Sequence, residues 1–166
     1  MMNKNKFRTP AILTVIIASM IGCTKQEIGP LMDIRPAVSV TVTNAVAFRP
    51  DPTVVTSKAA GGNIQIILSI PANSGRTIKE ITRIAANTSY TAIQSTGTTG
   101  FYTITPIAVN STTATFNTTL AEYVVKAPGV IPANTNTELA RRFYFKLTLD
   151  DGTVIIPFPV RVLYLD

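Results

Sequence analysis

The chain has 166 residues, of which only 14% are charged: 15 Lys and Arg against 9 Asp and Glu, a formal net charge of +6. It holds no His, no Trp and a single Cys, which removes the commonest neutral-pH general base, removes the commonest zinc and copper ligand, and excludes an internal disulfide. With Lys4, Lys6 and Arg8 set aside as part of a leader, the largest basic cluster is Arg141-Arg142, so nucleic acid is excluded as a partner for want of a positive stripe to track phosphates.

Those three leader charges precede the apolar run AILTVIIASMIG and then Cys23. A basic start followed by a short apolar core is a secretory signal peptide, because the run is too short to cross ~30 Å of hydrocarbon as a lasting helix. Met20-Ile21-Gly22-Cys23 resembles the lipobox of bacterial lipoproteins, with Met20 and Ile21 at positions where Leu and a small residue are usual. The resemblance implies cleavage of residues 1–22, lipidation of the Cys23 thiol with palmitate-type acyl chains, and a lasting membrane anchor, since each buried CH₂ contributes ~0.8 kcal/mol. Thr24 is not the Asp associated with inner-membrane retention, so the expected destination is the outer membrane, with periplasmic and surface-exposed placements both open. Residues 23–36, carrying Gly29, Pro30 and Pro36 without periodicity, read as a flexible tether.

The remainder, 37–166, reads as one β domain. Val38, Val40 and Val42 alternate with Ser39, Thr41 and Thr43, a first strand running towards Phe48 and ended by Arg49-Pro50-Asp51-Pro52. Ile64, Ile66, Leu68 and Ile70 form the inner parity of a second strand, with Ile67 implying partial cover on the other face. In TIKEITRIAA, Ile78, Ile81 and Ile84 lie three apart, a helical spacing; three Ile and two Thr in so short a run favour a strand bulged near Glu80. Tyr90 to Ile93 reads as a further short strand, Ser95 to Gly100 as a loop, and Phe101 to Val109 as a strand broken at Pro106. Thr113 to Val125 is apolar without a clean period, and Pro128, Gly129 and Pro132 close it.

The chain closes on RRFYFKLTLDDGTVIIPFPVRVLYL, from Arg141 to Leu165. Phe143, Phe145, Leu147 and Leu149 share one parity, and Val154, Ile156, Phe158, Val160, Val162 and Tyr164 share another. Folding these arms about Asp151-Gly152 pairs Leu149 with Val154, Leu147 with Ile156, Phe145 with Phe158 and Phe143 with Val160. A four-residue loop, Asp150 to Thr153, is expected, because it keeps that pairing and turns the donor-less nitrogens of Pro157 and Pro159 away from the ladder.

Seven or eight short strands with turns every ~8 to 12 residues describe an all-β antiparallel sandwich. The lipobox, the Val-Ser-Val-Thr-Val strand, the TIKEITRIAA segment and the closing hairpin together resemble the lipid-anchored immunoglobulin-like domains of Bacteroidota outer-membrane lipoproteins. In that group such domains often stand at the base of accessory proteins for glycan capture, followed by a separate binding domain. The resemblance implies a non-catalytic interaction or spacer module whose partner is an envelope protein. The alternative is a glycan-binding module using end loops, with Tyr90, Phe101 and Tyr102 around the Gly/Thr loop as the candidate stacking residues.

Other constellations carry less. Asp150-Asp151-Gly152 could be half of a calcium loop, but Asp-Gly suits a hairpin turn without metal. Arg141-Arg142 reads as a solvated strand end. Without His there is no Ser-His-Asp arrangement, and no Ser-x-x-Lys motif is present. The chain is therefore expected not to be an enzyme, and to need neither cofactor nor metal.

Overall fold

The computed structural model describes residues 36–97, 99–127, 131–132, 134 and 136–165. The signal peptide, Cys23 and the tether as far as residue 35 lie outside the described residues, as do Pro128 and Gly129.

The described chain is mostly β, with ten strands, two short α-helices and a 3-10 turn at Ala72–Ser74. In order these are β1 (Thr41–Val42), β2 (Thr53–Ser57), β3 (Asn63–Ser69), β4 (Ile78–Asn87), α1 (Thr91–Gln94), β5 (Ile107–Ser111), β6 (Thr113–Thr119), α2 (Leu120–Lys126), β7 (Thr137–Glu138), β8 (Arg142–Leu149), β9 (Val154–Ile155) and β10 (Arg161–Leu165). They form three sheets, ordered β1-β3-β6, β2-β10-β7 and β5-β4-β8-β9. All pairings are antiparallel except β2 with β10, which run parallel.

The sheets share one core because each strand turns its apolar parity inward. Ile64, Ile66 and Leu68 of β3, Ala114 and Phe116 of β6, and Phe143, Phe145, Leu147 and Leu149 of β8 are all buried in a single cluster. The aromatic centre is Phe143, whose ring meets Tyr102 at 5.2 Å, Phe116 at 5.8 Å and Tyr123 at 5.9 Å.

The helical spacing of Ile78, Ile81 and Ile84 is resolved by irregularity rather than by a helix. Register shifts fall between Ile78 and Glu80 and again between Ile81 and Arg83. Each inserts one residue, so three-residue spacing becomes one-sided, and all three side chains are buried. One bulge near Glu80 is expected from the sequence; two spacings of three require two.

The missing period of 113–125 has an equally local cause. Through Thr119 the segment is strand, with Ala114, Phe116 and Thr118 inward. Thr119 then caps α2 by accepting the Glu122 backbone N–H at 3.1 Å, and the period changes from two to 3.6 residues.

The closing hairpin departs from the expected register over half its length. Leu149 N–H donates to Thr153 C=O at 2.9 Å and Gly152, at φ 85°, makes the turn. The loop is thus three residues, Asp150 to Gly152, with glycine in the left-handed position that such loops favour. Leu147 consequently pairs with Ile155, not Ile156. Ile155 and Pro157 turn inward, whereas Val154 and Phe158 are 50% and 71% exposed. Pro157 then occupies a ladder position where a donor is needed, and pairing stops. It resumes at Phe143 and Val160, from which Val160, Val162 and Tyr164 are buried as the alternation implies.

Three further expectations are corrected. Tyr90–Ile93 is not a strand: Thr91–Gln94 is one helical turn that buries Ile93 against Ala85 and Tyr144 on the outer face of β4 and β8. Only Thr41–Val42 of the first apolar run is ladder-paired, and β2, absent from the sequence reading, supplies Val54 to the core. The parallel β2–β10 pair means the sheets are not purely antiparallel.

Candidate functional site

Among the described residues β1 ends its sheet, with β3 as its one neighbour. Thr41 is opposite Ser69, and Thr43 N–H donates to Ile67 C=O at 2.9 Å. Odd positions therefore bond β3, and antiparallel alternation turns the backbone groups of Val40 and Val42 away from it; the Val42 C=O accepts the Ala45 N–H at 3.4 Å, and Val42 is buried. Beyond β1 the chain makes a short projection. Val46 N–H donates to Thr53 C=O and Thr53 N–H to Ala47 C=O, both at 2.8 Å, closing its base. Phe48-Arg49-Pro50-Asp51-Pro52 forms the tip, with a cis Arg49-Pro50 bond. Asp51 fixes the tip to the start of β8, its Oδ2 lying 2.9 Å from Arg142 Nη1.

Between this tip, β1 and the segment after β9 lies a cleft of about 340 Å³, lined by Val40, Thr41, Val42, Phe48, Pro50, Pro52, Pro157 and Phe158. Its size is at the lower end for ligand pockets. None of the lining side chains is ionisable. Val42 and Pro157 are buried, while Phe48 and Phe158 are 56% and 71% exposed. The lining offers apolar contact and one hydroxyl, that of Thr41, and no ionisable group.

The sequence-predicted aromatics do not gather into a platform. Tyr102 is 4% exposed, its ring edge-on to Phe116 and Phe143 within the core. Thr118 gives its one hydroxyl hydrogen to Glu122 Oε2 at 2.8 Å, so the Tyr102 hydroxyl is the donor in the Tyr102–Thr118 bond. Burial pushes the Tyr102 hydroxyl pKa up to about 12, against the smaller lowering effect of Thr118. Phe101 turns the other way, half-buried beside Tyr144 with the Arg83 guanidinium 5.0 Å from its ring centre. Tyr90 is 37% exposed and meets Tyr144 edge-on at 4.8 Å; burial raises its pKa. The two residues lie in the loop before β5, where the Tyr102 N–H donates to Ile84 C=O at 2.8 Å and holds Tyr102 against β4.

Asp150 and Asp151 belong to the turn. Asp151 Oδ1 accepts the Thr153 N–H at 2.9 Å and Oδ2 pairs with Arg76 Nη2 at 2.9 Å. The hydrogen bond from Thr153 is the main reason its carboxyl pKa is lowered. Among the described residues no group of three or more His, Cys, Asp or Glu could hold a metal ion, and no helix is long and apolar enough to cross a membrane. Cys23 lies outside the described residues.

Sequence reasoning missed the cleft because alternation assigns Phe158 to the interior. The signal that was present is a phenylalanine close to prolines in each of two segments, Phe48-Arg49-Pro50 and Pro157-Phe158-Pro159, since proline denies regular pairing beside it.

The fold and the cleft define a mostly β protein with a main core, a smaller cluster on the outer face of β4 and β8, and an uncharged opening beside β1. Compared with known proteins, the chain matches no family model, no curated protein and no solved structure.

Proposed function

We propose that this chain is a non-catalytic, lipid-anchored interaction or spacer module of the cell envelope, with an immunoglobulin-like β-sandwich tethered to the outer membrane through Cys23. The observation that carries the interaction role is the uncharged cleft with Phe48 and Phe158 on its rim. Two large apolar side chains held in water beside an apolar floor form a surface of the kind that partners cover. The anchor rests on Lys4, Lys6 and Arg8, the apolar run and the Met20-Ile21-Gly22-Cys23 sequence.

A glycan-binding role through Tyr90, Phe101 and Tyr102 is supported less well, because Tyr102 is committed to the core. The experiment joins both halves of the reading. Cys23→Ser should move the protein from the membrane fraction to the soluble fraction and abolish labelling with palmitate. Phe158→Lys should keep membrane attachment and reduce co-purification of the envelope partner. Retention of acyl label in Cys23→Ser contradicts the anchor, and unchanged partner recovery with Phe158→Lys contradicts the interaction surface.

A further inference from the structure

We infer that β6 pairs with β6 of a second copy of this chain, edge to edge and antiparallel about Phe116. The inference rests on neither the cleft nor the anchor.

The backbone of β6 has one side committed and one side open. Ile70 N–H donates to Thr112 C=O at 2.9 Å just before the strand, and Leu120 N–H donates to Gly62 C=O at 2.8 Å just after it. Between them the register runs unbroken from Thr113 opposite Ser69 to Thr119 opposite Asn63. Even positions therefore bond β3, and the backbone groups of Thr113, Thr115, Asn117 and Thr119 point away from it. Thr113 N–H is taken by Ser111 Oγ at 3.3 Å. The N–H and C=O of Thr115 and Asn117 meet no partner among the described residues, and both residues are exposed.

The other sheet margins are guarded. Among the described residues β1, β7 and β9 have two residues each, and β9 stops before Pro157. Strand β5 follows Pro106 and holds Asn110 at φ 52°. Strand β2 is closed at both ends, by Thr53 N–H on Ala47 C=O and by Gly62 N–H on Ser57 C=O, both at 2.8 Å. By contrast β6 has seven residues, Thr-Ala-Thr-Phe-Asn-Thr-Thr, in an unshifted register. Short length, proline, charge and bulges are the devices that keep an edge from pairing, and β6 carries none of them.

The strand is also its own complement. Paired antiparallel about Phe116, Thr115 lies opposite Asn117 of the second copy and Asn117 opposite its Thr115, each pair exchanging both backbone hydrogen bonds. On the outer face Thr113 then meets Thr119, and on the inner face Ala114 meets Thr118 and Phe116 meets Phe116. Polar groups face polar ones, and no like charges meet because the strand has no charge. One patch pairing with itself about a two-fold axis closes as a dimer and does not grow into a fibre. A single strand pair makes a small interface, so the dimer is a weak one.

The test is sedimentation of the full chain carrying Cys23→Ser from about 10 μM to about 1 mM, a range that covers weak association, with amide hydrogen exchange at both ends of the range. A dimer at the upper end is expected, with the Thr115 and Asn117 amides protected there and not in the dilute protein. Two double variants at these exposed positions read the register. Thr115→Lys with Asn117→Lys sets Lys opposite Lys in both pairs and should weaken the dimer about tenfold or more. Thr115→Lys with Asn117→Glu sets Lys opposite Glu and should leave it no more than about threefold weaker than the parent. Equal weakening by both variants, a dimer that neither changes, or a monomer throughout the range overturns the proposal. A dimer dispersed by Phe158→Lys overturns it by assigning the contact to the cleft. Protection of Thr115 and Asn117 that ignores concentration and is lost on removing residues 24–35 overturns it by assigning the edge to the chain's own N-terminal segment.

Discussion

Phe143 and Val160 exchange both backbone hydrogen bonds, at 2.9 and 2.8 Å, one residue out of register with the Leu147–Ile155 pair of the same hairpin. The mismatch is absorbed between Pro157 and Pro159, and its result is the exposure of Phe158 at the cleft. The core and the cleft are thus set by the same irregularity: inward of it Phe143 gathers three rings, and outward of it one phenylalanine is left in water.

Phe143→Ala should destabilise the protein by roughly 3 to 5 kcal/mol, because the ring is fully buried and its removal leaves a cavity among Tyr102, Phe116 and Tyr123. Urea unfolding measures it. A loss below about 1 kcal/mol would place the ring outside the core.

Tyr102 makes stability sensitive to alkali. Its folded pKa, raised to about 12 by burial, exceeds the unfolded value near 10, so the folded state holds the proton more tightly. That contribution is complete below pH 10 and is lost as pH rises towards 12, by roughly 2 to 3 kcal/mol. Tyr102→Phe should lose about 1 kcal/mol at neutral pH, from the missing bond to Thr118, and unfold less steeply between pH 10 and 12. Chemical denaturation at both pH values checks the sign.

Glu122 gives the opposite, smaller dependence. Its carboxyl pKa is lowered first by Lys126 and then by the Thr118 hydroxyl, so its contribution is present above the unfolded carboxylate range and is lost as pH falls through the folded value. The group is on the surface and the pair is spaced i,i+4, so the effect should be only about 0.5 kcal/mol. Glu122→Gln should flatten the acid limb of the stability profile by that amount.

Two glycines separate backbone strain from crowding. Gly62 has φ 70° and a Cβ there would meet the Leu120 side chain at 3.3 Å, whereas Gly75 has φ 68° and open space. Gly75→Ala should cost about 1 to 2 kcal/mol from the left-handed backbone alone, and Gly62→Ala should cost more. Equal losses in thermal unfolding would mean that Leu120 moves aside freely.

Much of this architecture is legible in the residue order. The inward parity of β3, the bulged character of β4 and the apolar face of β8 all follow from where Ile, Leu and Phe recur. The parts that escape it depend on distant partners or on single turns. Strand β2 is a short Thr-Val-Val-Thr-Ser run whose partner β10 lies about a hundred residues away and runs parallel, and nothing local marks that pairing. The hairpin register turns on whether Gly152 closes a loop of three residues or Thr153 a loop of four. That one residue decides whether Phe158 packs inside or lines a cleft. The candidate site was therefore hidden by the same alternation that exposed the core. Tyr102, Phe101 and Tyr90 look alike in sequence, but only neighbours contributed by other strands determine that Tyr102 is interior.

The most direct measurement is site-specific photocross-linking in intact cells, with a photoreactive phenylalanine analogue at position 158 and, as a control, at position 115 on the exposed polar face of β6. A discrete adduct with the envelope partner is expected from position 158, weakening when Val42 is changed to Lys, and none with that partner from position 115. Partner adducts of equal yield from both positions, or none from 158, would contradict the interaction role.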